Sequence, residues 1–103
     1  MDTKTDIINE DKVIISPKEN IDFSNSQELK EDLLEVFNDG YKNIVLDFGE
    51  IENIDSSGLG KLLLFHKKLK EDDGKIIIQN IQSDYIKNMF EMINLHTIIE
   101  IEE

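Results

Sequence analysis

Asn43-Ile44-Val45-Leu46-Asp47-Phe48-Gly49-Glu50-Ile51-Glu52-Asn53-Ile54-Asp55-Ser56-Ser57-Gly58-Leu59-Gly60-Lys61 is the stretch whose reading decides the fold. Ile44-Val45-Leu46 with Phe48 is a short β-forming run, apolar at successive positions. It predicts a central strand of a parallel sheet covered by helices on each side. A short loop then leads to Asp55-Ser56-Ser57, an N-cap signature, so a helix should begin there. Two glycines fall in its first turn. Each costs a helix roughly 0.5–1 kcal/mol relative to Ala. Their presence points to close approach by another molecule.

Working outward, Ile7-Ile8 and Val13-Ile14-Ile15 flank Asn9-Glu10-Asp11, which reads as an antiparallel hairpin closed by Pro17. Ser24 to Gln27 has the spacing of a capping box ahead of Leu29, Leu33, Val36 and Phe37, which share a helical face. Asn38-Asp39-Gly40 stops that helix. After Leu59, the positions Leu62, Leu63, His66 and Leu69 recur at helical spacing, with Lys61, Lys67, Lys68 and Lys70 outside, until Asp72-Asp73-Gly74. Ile76-Ile77-Ile78 is a buried strand. Ser83-Asp84 caps a third helix carrying Ile86, Met89, Phe90 and Ile93, Asn94 supplies a left-handed stop, and Ile98-Ile99 with Ile101 makes a last strand. Strand and helix alternate after the hairpin. This predicts an α/β fold: a mainly parallel sheet with an antiparallel N-terminal hairpin, packed by helices, one domain over 1–103.

The chain has 103 residues and a net charge of −12, which excludes a nucleic-acid backbone as ligand and favours a basic protein partner. There is no cysteine, which removes disulfides and thiolate chemistry. No apolar run approaches the roughly 18 residues of a membrane span, and Met1 to Asp6 does not resemble a signal peptide, so a cytoplasmic location is expected.

Catalytic readings of the serines fail on spacing. A nucleophile elbow needs Gly two residues before the serine, whereas Ile54 and Asp55 occupy those places for Ser56 and Ser57. His66 lies on an apolar helix face and His96 in a turn, so neither is placed as a base. Gly60-Lys61 lacks the remainder of a phosphate-binding loop, with Asp55 and Leu62 where Gly and Ser or Thr belong. Glu71-Asp72-Asp73 lacks calcium-loop spacing and reads as a solvated helix end, and Met89 and Met92 as core and rim. The expectation is no enzyme, no metal and no cofactor. What remains is Ser56 and Ser57 at a helix N-terminus, either as ordinary caps or as hydroxyls where a phosphate would be accommodated by the helix dipole.

The run from Ile44 to Phe48, continued by Ile54-Asp55-Ser56-Ser57-Gly58-Leu59-Gly60, resembles the signature of the STAS domain as found in anti-sigma factor antagonists. Ile21-Asp22 before a helix and the order of elements extend the resemblance over essentially the whole chain. It implies that Ser56 is phosphorylated by a serine-kinase anti-sigma factor, that a serine phosphatase resets it, and that Asp22 and Ser24 lie beside it. With Asp55, Ser57, Gly58, Leu59 and Gly60, these residues are expected to form the partner-binding face. The same fold could instead serve as a constitutive scaffold subunit of a stress-signalling or transporter assembly. Two departures stand out: Glu19 replaces a usual Gly three positions before Asp22, and Asn94 replaces a usual Gly after the last helix. A glutamate resists a positive φ angle, so the backbone at Glu19 is expected to differ.

Overall fold

A computed structural model describes residues 1–102. Five strands, β1 (Thr3–Ile7), β2 (Lys12–Pro17), β3 (Asn43–Asp47), β4 (Lys75–Gln79) and β5 (Glu100–Ile101), form one sheet in the order β1-β2-β3-β4-β5. β1 and β2 are antiparallel, and the other pairings are parallel. The helices are α1 (Ser26–Asn38), α2 (Ser56–Glu71) and α3 (Asp84–Met92), with a 3₁₀ turn at Leu95–Thr97. The expected α/β class and antiparallel hairpin are therefore observed.

Because the strand order runs in one direction without reversal, right-handed crossovers place every helix on the same face. Alternation along the strands agrees. Val13, Ile15, Ile44, Leu46, Ile76 and Ile78 pack in one core with Leu29 and Leu33 of α1, Leu62, Phe65 and Leu69 of α2, and Ile86 and Phe90 of α3. Val45 and Ile77 point to the opposite face, outside that core, yet are 1% and 6% exposed. The expectation of helices on both faces is thus corrected. Val45 and Ile77 are shielded by neighbouring strands, whose outer rows end in polar side chains such as the Lys75–Glu100 ion pair.

Local chemistry explains most boundaries. The Asn9 side chain accepts the N–H groups of Asp11 and Lys12 and closes the hairpin. Gly40 at φ 104° ends α1, and Asn94 at φ 53° breaks the chain after α3 as expected. Ser83 caps α3 by accepting from the Ile86 N–H at 3.2 Å. The last strand is shorter than Ile98-Ile99-Ile101 suggested. Ile98 and Ile99 donate to the Leu95 carbonyl, which closes the 3₁₀ turn, and only Glu100 and Ile101 pair with β4.

Candidate functional site

α2 starts at Ser56, and its N-cap is Asp55, whose Oδ1 accepts the Gly58 N–H at 3.0 Å. The carboxylate thereby takes the duty a serine would otherwise perform, and Ser56 and Ser57 are free of it. Both are exposed, and among the described residues neither hydroxyl makes a hydrogen bond within the protein. The capping reading of these two serines is corrected.

The second Asp55 oxygen accepts the Phe23 N–H at 3.0 Å, reaching a segment 32 residues earlier. The same two segments are joined by a parallel bridge between Ile21 and Ile54, with the Ile21 N–H donating to the Asn53 carbonyl and the Asp55 N–H to the Ile21 carbonyl. This bridge brings Asp22 and Ser24 to the start of α2, as the sequence resemblance implied. It also explains Gly58. A Cβ there would lie 2.5 Å from Ile21 Cγ2 and 2.9 Å from Ile54 Cγ1, so the close approach that requires this glycine comes from the chain itself. Gly58 is buried and gives an outside molecule no surface, which corrects its expected place on a partner-binding face. Gly60 is different: nothing lies within 4 Å of where its Cβ would be. Leu59 is half-buried beside it.

The capping box expected from Ser24 to Gln27 does not form. Ser24 donates both its hydroxyl and its N–H to Asp22 Oδ1, closing a tight local turn, and α1 begins two residues later. Asn25 holds the N-cap position of α1, so Ser24 stands one residue ahead of the cap, and its hydroxyl is used as a donor to Asp22. The Ser24 hydroxyl, then its N–H, hold the Asp22 carboxyl below the usual carboxylate range.

Asn25 organises this turn, a role with no signal in the sequence beyond its position ahead of a helix. It is buried, accepts the Asp22 N–H at 2.9 Å, and donates to the Asn20 carbonyl at 2.7 Å and to Glu19 Oε1 at 3.0 Å. Glu19 is not in a left-handed conformation, so the backbone does without the glycine-like geometry, and its carboxylate is used to hold Asn25. Asn20 in turn accepts the N–H groups of Glu52 and Asn53. Two loops are stitched together under the serines.

Phe23 was also missed. It is 80% exposed, at the site, and held there through its own N–H. Its signal was an aromatic side chain between Asp22 and Ser24, off the Leu29 and Leu33 face of α1.

His66 is buried on the inner face of α2 with no partner for Nδ1, and burial, then Lys70, lower its affinity for a proton. It faces away from the serines, which lie on the outer face. Among the described residues no group of three or more His, Cys, Asp or Glu side chains could hold a metal ion. No helix among them is long and apolar enough to cross a membrane.

An exposed serine at the first position of a helix is docked against an Asp-bearing loop at one end of a mainly parallel sheet, the arrangement of a STAS domain. The STAS domain family model matches residues 3–103, and the chain belongs to that family. A candidate anti-sigma factor antagonist of Bordetella bronchiseptica, BtrV, is 26% identical over 72 residues, covering 70% of this chain and 61% of the relative, so the match spans under two thirds of that protein. A candidate anti-sigma factor antagonist of Thermotoga maritima has the same fold, with a TM-score of 0.89 at 22% identity over 98% of this chain and 86% of that one. The anti-sigma factor antagonist SpoIIAA in its unphosphorylated form matches with a TM-score of 0.75 at 17% identity, over 99% of this chain and 88% of that one. In its phosphorylated form, from Bacillus, SpoIIAA matches with a TM-score of 0.74 at 18% identity, over 99% and 92%.

Proposed function

We propose that this chain is a phosphorylation-gated anti-sigma factor antagonist: unphosphorylated, it binds a serine-kinase anti-sigma factor, and phosphate on Ser56 releases it. A serine phosphatase resets the serine, and the cytoplasm is where such a switch meets its partners. The observation that carries this reading is Asp55 acting as the cap of α2, which leaves the Ser56 hydroxyl exposed and without a partner. SpoIIAA, solved with and without phosphate, matches this fold almost equally in both forms, which supports a modification the fold tolerates.

The chain is the substrate in this scheme. ATP, metal and base come from the kinase, and this protein supplies a nucleophilic hydroxyl in a fixed place. Asp22, Ser24, Asp55, Ser57, Leu59 and Gly60 surround that hydroxyl as the contact face, with Gly58 shaping it from below. Phosphate adds about 1.5 to 2 negative charges. In the contact it meets the nucleotide phosphates and acidic groups of the kinase, and a penalty of about 3 to 4 kcal/mol weakens binding several hundredfold.

The test is mass spectrometry of the tryptic peptide Asn43 to Lys61 from native cells, whose only hydroxyl side chains are Ser56 and Ser57. Phosphate on Ser56 whose occupancy changes with growth or stress is the expected result. Absence of phosphate under every condition, with one partner always copurified at fixed stoichiometry, would overturn it in favour of a constitutive scaffold.

A further inference from the structure

α2 carries four of the chain's eleven basic residues, Lys61, Lys67, Lys68 and Lys70, and a single acid, Glu71, on a protein of net charge −12. Leu64 lies three residues after Lys61, and Lys67 and Lys68 lie three and four residues after Leu64, so they form one outward stripe, opposite the buried Leu62, Phe65, His66 and Leu69. Ser57 heads that stripe, and Ser56 stands one step to its side. Leu64, at its centre, is 61% exposed.

Stability does not account for this pattern. The ion pairs among the described residues use Lys4, Lys18, Lys75 and the terminal amine, and no carboxylate lies within salt-bridge reach of the stripe. Lys68 rests over the Phe37 ring at 5.5 Å, and Lys68 and Lys70 occupy the last turn, where the helix dipole favours cations. Neither reason reaches Lys61 in the second turn, Lys67, or the leucine they flank.

We infer that this stripe is a docking surface for an acidic protein face with an apolar depression for Leu64, and that this face belongs to the same kinase that reads Ser56. The inference rests on the switch reading in that last respect. Charges are screened over about 8–10 Å at physiological salt, so a partner lying on α2 meets the local lysines and not the net charge of the molecule. The expectation of a basic partner, drawn from overall acidity, is replaced for this face. One partner acidity then serves two ends. It attracts the lysines while Ser56 is bare and repels the phosphate once it is added.

The experiment places a photo-crosslinker in the stripe, Leu64→p-benzoylphenylalanine, in otherwise native cells and sequences the crosslinked peptide. The expected result is a peptide rich in Asp and Glu from a protein that, when purified, phosphorylates Ser56. Titrating that protein with the Lys61→Glu, Lys67→Glu double variant should then show affinity about tenfold lower and a flattened salt dependence. No crosslink, a crosslink to a second copy of this chain, a basic or neutral crosslinked peptide, or binding of the wild type to vesicles of phosphatidylserine and phosphatidylcholine that the double variant loses would each overturn the inference. The two readings fail separately. An acidic crosslinked partner without Ser56 phosphorylation leaves the docking surface and removes the switch, while a Ser56 kinase whose binding ignores the double variant leaves the switch and removes the docking surface.

Discussion

The Asp55 carboxylate accepts the Phe23 N–H at 3.0 Å with one oxygen while its other oxygen caps α2 at Gly58. One side chain thus fixes both where α2 starts and where the neighbouring loop stands. Asp55→Ala removes both bonds and should lower unfolding free energy by about 2 kcal/mol, since a cap is worth about 1 and a bond to a charged group somewhat more. Asp55→Asn keeps one oxygen for the cap but presents an NH₂ group to Phe23. It should retain most of the stability while hydrogen exchange at the Phe23 amide accelerates. Urea unfolding and amide exchange of the two variants together would show whether the clamp and the cap are separable.

The two glycines of α2 should respond in opposite directions. Gly58→Ala drives a methyl group against Ile21 and Ile54, and overpacking of this kind costs about 1–3 kcal/mol. Gly60→Ala enters open space within the helix and should stabilise by roughly 0.5–1 kcal/mol. If partner contact uses the bare backbone at Gly60, the more stable variant binds the kinase less tightly. Thermal unfolding and affinity measured on both variants check this, and equal behaviour of the two glycines would contradict the packing described.

Asn25→Ala strips the acceptor from the Asp22 N–H and the donor from Asn20 and Glu19 in a buried position. At about 1 kcal/mol per bond, a loss of 2–3 kcal/mol is expected. Asn25→Asp should be no better, because it keeps the acceptor but sets a second carboxylate against Glu19. Restored stability in Asn25→Asp with Glu19→Gln would confirm that cause.

Much of this was legible because local signals and tertiary structure agree. Ser83 caps a helix, Asn94 turns left-handed and Gly40 ends α1, each for reasons contained within a few residues. The strands β2, β3 and β4 were equally plain. What failed depended on partners far along the chain or on competition between near ones. Val45 looked like a strand covered twice because burial by neighbouring strands and burial by a helix leave the same apolar letter. Gly58 looked like an opening for a partner because its true neighbour, Ile21, lies 37 positions away. Ser24 looked like a cap because the local letters do not show that α1 begins two residues later, with Asn25 in the N-cap position. The placement of Ser56 at the start of a helix was readable, but its release from capping by Asp55 was not.

His66 should make stability depend on pH just below neutrality. Its folded-state pKa is lowered by burial and, less, by Lys70, so the unfolded chain takes up a proton first as pH falls. The stability is fully present above the unfolded pKa of about 6.5 and is lost as pH falls toward and through the lower folded value. His66→Phe, on an already apolar face, should remove this component. The informative quantity is the difference between wild type and variant in urea unfolding at a series of pH values, which subtracts the background of carboxylates. A difference that does not change with pH would show that His66 titrates alike in both states.

Phosphate on Ser56 should act on association and leave the fold in place. The added charge sits at the positive end of α2, which favours it by roughly 0.3–1 kcal/mol, and beside Asp55, which opposes it. These terms offset, so unfolding free energy should move by less than about 1 kcal/mol while affinity for the kinase falls several hundredfold. Ser56→Ala should bind as the bare protein does and resist phosphorylation. Ser57→Ala should still be phosphorylated on Ser56 and unfold as the bare protein does, because Ser57 has no part in the cap that Asp55 makes with Gly58. Parallel urea and affinity titrations of the phosphorylated and bare forms separate two ways a switch could work. A phosphorylated form that unfolds several kcal/mol more easily would mean that release comes from a broken loop, with the Asp55 to Phe23 clamp the first bond to examine.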